Sequence, residues 1–405
     1  MEKLKNIPIG NPEVYKDREK LPAVEVENQV IWTNPNFSKM PFDFKVGEQS
    51  KLGVFYSTDP DNLELRNAKI RFTSLDKKTN PPVARYKIES QDSKFDLETR
   101  EGQARNGLLS RIVFEDNDGR LYRDVGLKGV GRFTYQNGKA WIVNPYHSGD
   151  RVSQDHSFGV RNESNSRYDA EITEKLVKLG VRTHRILAII KINEIIAEED
   201  AMNKQRRKSR KISLDEAKEK QYIHPKVNPI VEVRAFGTVA RVFERPLRGG
   251  YDWRESFVDG KINLSCLIED LEDAKKLVAE EIGIENDKFG YYDYFKWLVK
   301  TSGKNLGIMH KNGYTHGYAT TMNITLDGRI VDFDSVSRDV SRINSDYETL
   351  KDTLCGNRSF RDGVNKFILA LSEKDEKTQE QLNNLTEEKL KIFFDEGYDE
   401  GLEKK

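Results

Sequence analysis

Hydrophobic and polar positions change their period along this chain in a definite order. From about 68 to 145 they alternate in short runs: Ala68-Lys69-Ile70-Arg71-Phe72, then 110–114, 121–125 and 140–143. A period of two puts every second side chain on one face. Asn117-Asp118-Gly119 and Asn137-Gly138 supply turn residues between runs, so antiparallel strands and hairpins are predicted. At 169–180 the period becomes helical, with Ile172, Leu176 and Leu179 on one face and Gly180 at the stop. A strand pair at 185–192 and 230–243 follows, interrupted by a charged insert at about 194–229. From 264 to 312 the pattern is helical again, and Tyr291, Tyr292, Tyr294, Phe295, Trp297 and Leu298 read as a core face. The tail from about 342 reads as helix.

Strands, one helix, strands, then helices is the order of an α+β chain with a protein-kinase-like bilobal fold. That arrangement has a β-rich N-lobe bearing one key helix, followed by a helical C-lobe. The boundaries expected are an N-terminal extension at 1–67, rich in Pro and Asn and wrapping the body, an N-lobe at 68–250 that includes the insert, and a C-lobe at 251–405.

Composition narrows the functional classes. Lys plus Arg and Asp plus Glu both total 67 of 405 residues, so net charge is zero and no global field favours nucleic acid. Six of the eight residues Lys204-Gln205-Arg206-Arg207-Lys208-Ser209-Arg210-Lys211 are basic. Glu194, Glu198, Glu199 and Asp200 precede them and Asp215, Glu216 and Glu219 follow, which reads as a solvated surface. The longest notable apolar run, Ile186-Leu187-Ala188-Ile189-Ile190, is too short to span a bilayer. No apolar signal core begins the sequence, and Cys266 and Cys355 are its only cysteines; a cytoplasmic protein without membrane or nucleic-acid partners is expected.

The candidate chemistry is concentrated late in the chain. His316-Gly317-Tyr318-Ala319-Thr320-Thr321-Met322-Asn323 leads into a short hairpin, and Gly328-Arg329-Ile330-Val331-Asp332-Phe333-Asp334 ends it. The Asn323 amide oxygen and the Asp332 carboxylate are hard oxygen ligands of the kind Mg²⁺ takes beside nucleotide phosphates. A kinase catalytic loop places its base Asp five residues before the metal Asn, and here that residue is Tyr318. A small-molecule phosphotransferase would need an Asp directly after the His-Gly turn, which Tyr318 also disfavours. Upstream, Lys128 ends a strand before Gly129-Val130-Gly131, a spacing that lets backbone N–H groups approach an anion. Glu174 lies in the one strong helix of that half, where a kinase-like fold keeps the acid that orients its phosphate lysine.

Taken together, Leu127-Lys128-Gly129-Val130-Gly131, Thr173-Glu174, Leu179-Gly180-Val181-Arg182-Thr183-His184-Arg185, Val239-Ala240-Arg241-Val242, Arg248 and Gly313-Tyr314-Thr315-His316-Gly317 with Asn323 and Asp332 resemble the selenoprotein O family. The resemblance covers roughly 105–340. It implies a pseudokinase-like protein adenylyltransferase, which binds ATP with Mg²⁺ or Mn²⁺ in a flipped orientation and transfers AMP to Ser, Thr or Tyr hydroxyls of other proteins or of itself. Carried over, Lys128 is the phosphate lysine and Glu174 its partner. Arg241 and Arg248 hold the phosphates, Asn323 and Asp332 hold the metal, Arg111 is a glycine-loop arginine, and Asn137-Gly138 contacts base or ribose. Two departures stand out. The glycines that flank the family's loop arginine are replaced by Leu108-Leu109-Ser110. The family's base Asp, directly before the metal Asn, is Met322, whose thioether cannot take the hydroxyl proton. Asp334, two residues beyond Asp332, is then the nearest replacement base. Loss of the base leaves a second reading open, a catalytically weak or inactive nucleotide-binding pseudokinase.

Overall fold

The computed structural model describes residues 18–21, 24–37, 44–50, 54–55, 69–76, 83–89, 97–100, 106–129, 161–199, 208–220, 225–242, 257–258, 261–262, 265–356, 363–372 and 376–403. Strands β1 (Arg18–Leu21), β2 (Val24–Glu25), β3 (Asn28–Thr33), β4 (Val54–Phe55), β5 (Lys69–Asp76), β6 (Val83–Glu89), β7 (Leu97–Arg100), β8 (Asn106–Glu115) and β9 (Leu121–Lys128) come first. Next are β10 (Arg161–Asn162), helix α1 (Glu163–Lys178), β11 (Arg185–Ile192), β12 (Glu194–Glu199), β13 (Lys208–Ser213), α2 (Leu214–Glu219), β14 (Pro229–Phe236), β15 (Phe257–Val258) and β16 (Lys261–Ile262). Helices complete the chain: α3 (Ser265–Glu281), α4 (Tyr291–Lys311), α5 (Ile343–Cys355), α6 (Asn365–Ser372), α7 (Glu376–Asn383) and α8 (Glu387–Glu403).

The main sheet is antiparallel, in the order β1-β7-β8-β9-β14-β11-β3 with β10 beside β14, and it curls into a half-barrel. Its central strands β9 and β14 are buried along their whole length, including the charged Arg123, Asp124, Lys128, Glu232 and Arg234. Helix α1 covers one face through Ala170, which packs on Ile186, Ile189 and Ile230. The segment expected to be an irregular N-terminal wrap instead supplies the sheet with β1 at one end and β3 at the other.

Other expectations are corrected in detail. Helix α1 starts at Glu163 rather than near 169, because its polar first turns are set by an extended Asn162 and not by an apolar stripe. It stops where predicted: Gly180, at φ 90°, donates its N–H to Val177 and lets Val181 donate to Leu176, satisfying the last carbonyls. The second strand of the central pair ends at Phe236 instead of running to 243. Gly237 turns the chain there against the buried Asp327 and Arg329 side chains, which would clash with any Cβ at that position. The insert, expected as a solvated loop or helix surface, holds the β12–β13 hairpin and the short α2, with Glu199 opposite Lys208. The strand expected at 140–143 lies outside the described residues.

Helices α4 and α8 pack with close backbone approach. A Cβ on Gly303 or Gly307 would fall 2.2 Å from the carbonyl oxygen of Phe394 or Tyr398, respectively. Gly397 and Gly401 meet Lys300 and Lys304 carbonyls in the same way. Around this pair lies the large apolar core, built from Phe295, Leu298, Leu306, Phe367, Leu390, Phe394 and their neighbours. No helix among the described residues is long and apolar enough to cross a membrane.

Candidate functional site

The late hairpin is built around backbone bonds from Thr325 N–H to the Arg329 carbonyl and from Val331 N–H to the Asn323 carbonyl, both 2.9 Å. Asp327 and Arg329 form a fully buried ion pair beneath it. The segment after α1 clamps the hairpin from outside. Ile330 N–H reaches the Arg182 carbonyl at 3.0 Å, and the Thr183 hydroxyl reaches the Ile330 carbonyl at 2.6 Å. The turn before the hairpin is locked by Asp346 of α5, whose carboxylate accepts the N–H groups of His316 (2.6 Å) and Gly317 (3.1 Å). The His316 ring donates from Nε2 to the Val331 carbonyl at 3.0 Å. This places Asn323 and Asp332 at opposite ends of one short, rigid hairpin.

Asp332 has φ 70° and ψ 70°, the left-handed region, and is the non-glycine residue with positive φ among those described. Such a conformation costs about 1–3 kcal/mol and persists where surrounding bonds over-determine it. It has a direct consequence for Asp334. The chain leaves Asp332 as a one-turn 3₁₀ helix, Phe333–Ser335, so strand alternation ends. Asp334 nevertheless stays beside Asp332, within reach of the same lysine. Lys128 Nζ donates to both carboxylates, to Asp332 Oδ1 at 2.8 Å and Asp334 Oδ2 at 3.1 Å.

Lys128 reaches this point from the end of β9, where it stands opposite Glu232 of β14. Gly129 follows at φ 105°, its α-carbon pressed so close to the Ile230 carbonyl that a Cβ would lie 2.4 Å from it. The lysine is buried, with 4% of its side chain exposed, whereas Asp332 and Asp334 keep 37% and 36%. The carboxylates are thus partly exposed to solvent while the cation is buried. Lys128 and Arg241 hold the Asp332 carboxyl well below the usual range, overcoming its burial. Asp334 is also lowered: burial would raise it, but Lys128 and Arg161 outweigh that.

Arg161, on β10, is the residue that sequence reading missed. Its guanidinium takes Asp334 with both terminal nitrogens (3.0 and 2.5 Å), Asp169 of α1 at 3.1 Å and Glu232 at 3.0 Å. Burial alone would lower its pKa, but Glu232, Asp169 and Asp334 raise it well above the ordinary value. Burial and the nearby Glu232 push Asp169 up to about 8. His184 stacks between Phe236 and Phe333, and burial with nearby Arg234 and Lys128 keeps its ring neutral. A charged Glu232 amid the apolar run Ile230-Val231-Glu232-Val233 was the one signal that could have exposed this network.

The expected Lys128–Glu174 pair is not formed. Glu174 Oε1 and Oε2 take Arg185 Nε and Nη2 at 2.6 and 2.7 Å, and Asn34 donates to Oε1 at 2.7 Å. The reason is helical phase: Asp169, five positions earlier, faces the site through Arg161, while Glu174 faces β11 and the 34–37 turn. Arg241 does reach the hairpin. Its Nη1 donates to Asn323 Oδ1 at 3.0 Å and to the Met322 carbonyl at 2.5 Å. Arg111 stands on β8 opposite Asp124. Arg248, Asn137 and Gly138 lie outside the described residues.

The donor set suits a hard cation in part. Asn323 Oδ1 and Asp332 offer amide and carboxylate oxygens on one hairpin, and Asp332 uses only Oδ1 for its bonds among the described residues. No group of three or more His, Cys, Asp or Glu able to hold a metal occurs among the described residues, so any such ion would need ligands from a nucleotide as well. Met322 and Tyr318 are exposed beside Asn323, at 44% and 66%. No protein-family model and no curated protein matches this chain.

Proposed function

We propose that the chain is a kinase-like, bilobal nucleotide-binding protein that transfers AMP from ATP to Ser, Thr or Tyr hydroxyls of proteins or of itself, in the manner of the selenoprotein O family. The observation that carries the reading is the convergence of Lys128, Arg241, Asn323 and Asp332 on the ends of one hairpin. They come from a β-strand, a loop and both ends of a hairpin. That set supplies two cations for phosphates and two oxygens for a divalent metal. Asn323 and Asp332 would hold Mg²⁺ or Mn²⁺, which when bound offsets charge on the phosphates. Lys128 would release Asp332 Oδ1 to the metal and turn toward a phosphate. Arg241 would do the same from Asn323, and its planar fork fits phosphate oxygens. A cytosolic location and the lobe boundaries at 68–250 and 251–405 belong to the same proposal.

The second reading, a nucleotide-binding pseudoenzyme, is favoured by one observation. Met322 stands at the base position, and Asp334 is tied to Arg161 and Lys128, which makes it a poor proton acceptor. Positioning and charge stabilisation survive such a loss, while a general base is worth about 10² to 10⁴ in rate. Incubation with α-labelled and γ-labelled ATP in Mg²⁺ or Mn²⁺ separates the possibilities. AMP transfer gives label and an added AMP mass from the α-labelled nucleotide alone. Transfer from γ-labelled ATP would replace this reading with an ordinary kinase, and binding without either label would leave the pseudoenzyme.

A further inference from the structure

In a kinase-like site an acid must hold the phosphate lysine in place, and the helix residue expected to do so, Glu174, is committed to Arg185. We infer that Asp334, fixed by Arg161, is the acid that orients Lys128 toward nucleotide phosphate, and that helix α1 acts on the lysine through Asp169 rather than Glu174. This rests on the nucleotide-binding reading above.

Three relationships support it. First, Lys128 Nζ touches two carboxylates, at Asp332 and Asp334. When Asp332 turns to a metal, Asp334 remains as the lysine's partner at 3.1 Å. Second, Asp334 is not a loose side chain. Arg161 grips both of its oxygens, and a two-pronged guanidinium–carboxylate contact fixes orientation as well as distance. Third, Arg161 is itself immobilised. It is 99% buried and bonded to Ser166, Asp169 and Glu232. A continuous line therefore runs from α1 through Asp169, Arg161 and Asp334 to Lys128. Asp334 and Arg161 are positioning residues here, and neither needs to touch substrate.

The test is a titration of the purified full chain with MgATP, alongside its Tm without nucleotide. Asp334 is partly exposed, so Asp334→Asn should keep the fold and Tm yet weaken MgATP binding about tenfold, the usual cost of losing an outer orienting contact. In a Lys128→Ala background the same change should cost nothing further, because its effect passes through the lysine. Arg161→Lys keeps the charge but removes the fork, and should weaken binding in the same direction. Glu174→Gln should lower Tm with affinity retained. Wild-type affinity in Asp334→Asn, or a fully additive double variant, would overturn the anchor while leaving the proposed function intact. Failure of the wild-type chain to bind MgATP would remove both.

Discussion

Lys128 Nζ and Asp332 Oδ1 meet at 2.8 Å across 204 residues of sequence. The pair joins the end of a central strand to the end of the late hairpin. Both residues are held by backbone features that tolerate little change: Gly129 against Ile230 on one side, and a left-handed Asp332 on the other. An ion pair so fixed holds a buried cation against a partly exposed anion.

Arg241 should show opposite effects on the two components of such a ligand. Its guanidinium lies on Asn323 Oδ1, so it repels a bare metal ion and attracts phosphate. Arg241→Gln is expected to tighten binding of Mn²⁺ alone and to weaken binding of MgATP. Paramagnetic relaxation of water by Mn²⁺ reads the first and nucleotide titration the second. A change of the same sign in both would show that Arg241 does not border the metal position.

Glu174 should matter for folding and not for nucleotide. It is buried against Arg185, which also reaches Asp116 at 3.1 Å. Removing Glu174 leaves Arg185 with Asp116 but orphans its Nε–H and one Nη2–H, a loss of about 1–3 kcal/mol. Glu174→Ala is therefore expected to shift the urea midpoint strongly, while the surviving folded fraction binds MgATP as before.

The α4–α8 contact depends on missing side chains. Gly307→Ala adds a methyl 2.2 Å from the Tyr398 carbonyl oxygen, a backbone atom that cannot rotate aside. Overpacking of this kind costs about 1–3 kcal/mol, against a gain of about 1 kcal/mol in helix propensity. A net loss in thermal stability is expected, larger for Gly307→Leu. Unchanged Tm in the leucine variant would mean that the two helices separate easily.

Stability should pass through a maximum near neutral pH. His184 and His316 have lowered pKa values from burial, so the unfolded chain binds more protons below about pH 6.5 and stability falls as pH drops there. Asp169 is raised to about 8 by burial and Glu232, so its contribution has the opposite sign from the ordinary carboxylate range up to about pH 8, and it dominates once the histidines stop titrating above about pH 6.5. The folded chain then holds a proton that the unfolded chain has lost, and stability declines by roughly 1 kcal/mol per pH unit up to about 8. Tm measured from pH 6.5 to 8.5 should fall in the parent chain, and Asp169→Asn should flatten the slope even though it lowers the absolute Tm.

Met322→Asp should speed AMP transfer if the proposed chemistry holds. Met322 is exposed beside Asn323, so a carboxylate there remains hydrated and available as a base. An increase within the range of about 10² to 10⁴ is the expectation for a restored general base. Counting AMP-modified protein by intact mass over time reads it directly, and an unchanged rate would mean that proton transfer does not limit turnover.

Local chemistry in the sequence determined much of this protein: its strand and helix order, the stop of α1 at Gly180, the hairpin between Asn323 and Asp332, and the choice of Lys128 at the end of its strand. Each depends on residues close in the chain or on a motif with fixed spacing. Partner choice is different, because a buried charge pairs with whatever the fold brings to it. Only the tertiary structure sent Glu174 to Arg185, brought Arg161 and Asp169 into the lysine's neighbourhood, and drew β1 and β3 into the main sheet. The same holds for Asp334. Its carboxylate meets Lys128 and Arg161 through the turn that a left-handed Asp332, braced from both sides, begins.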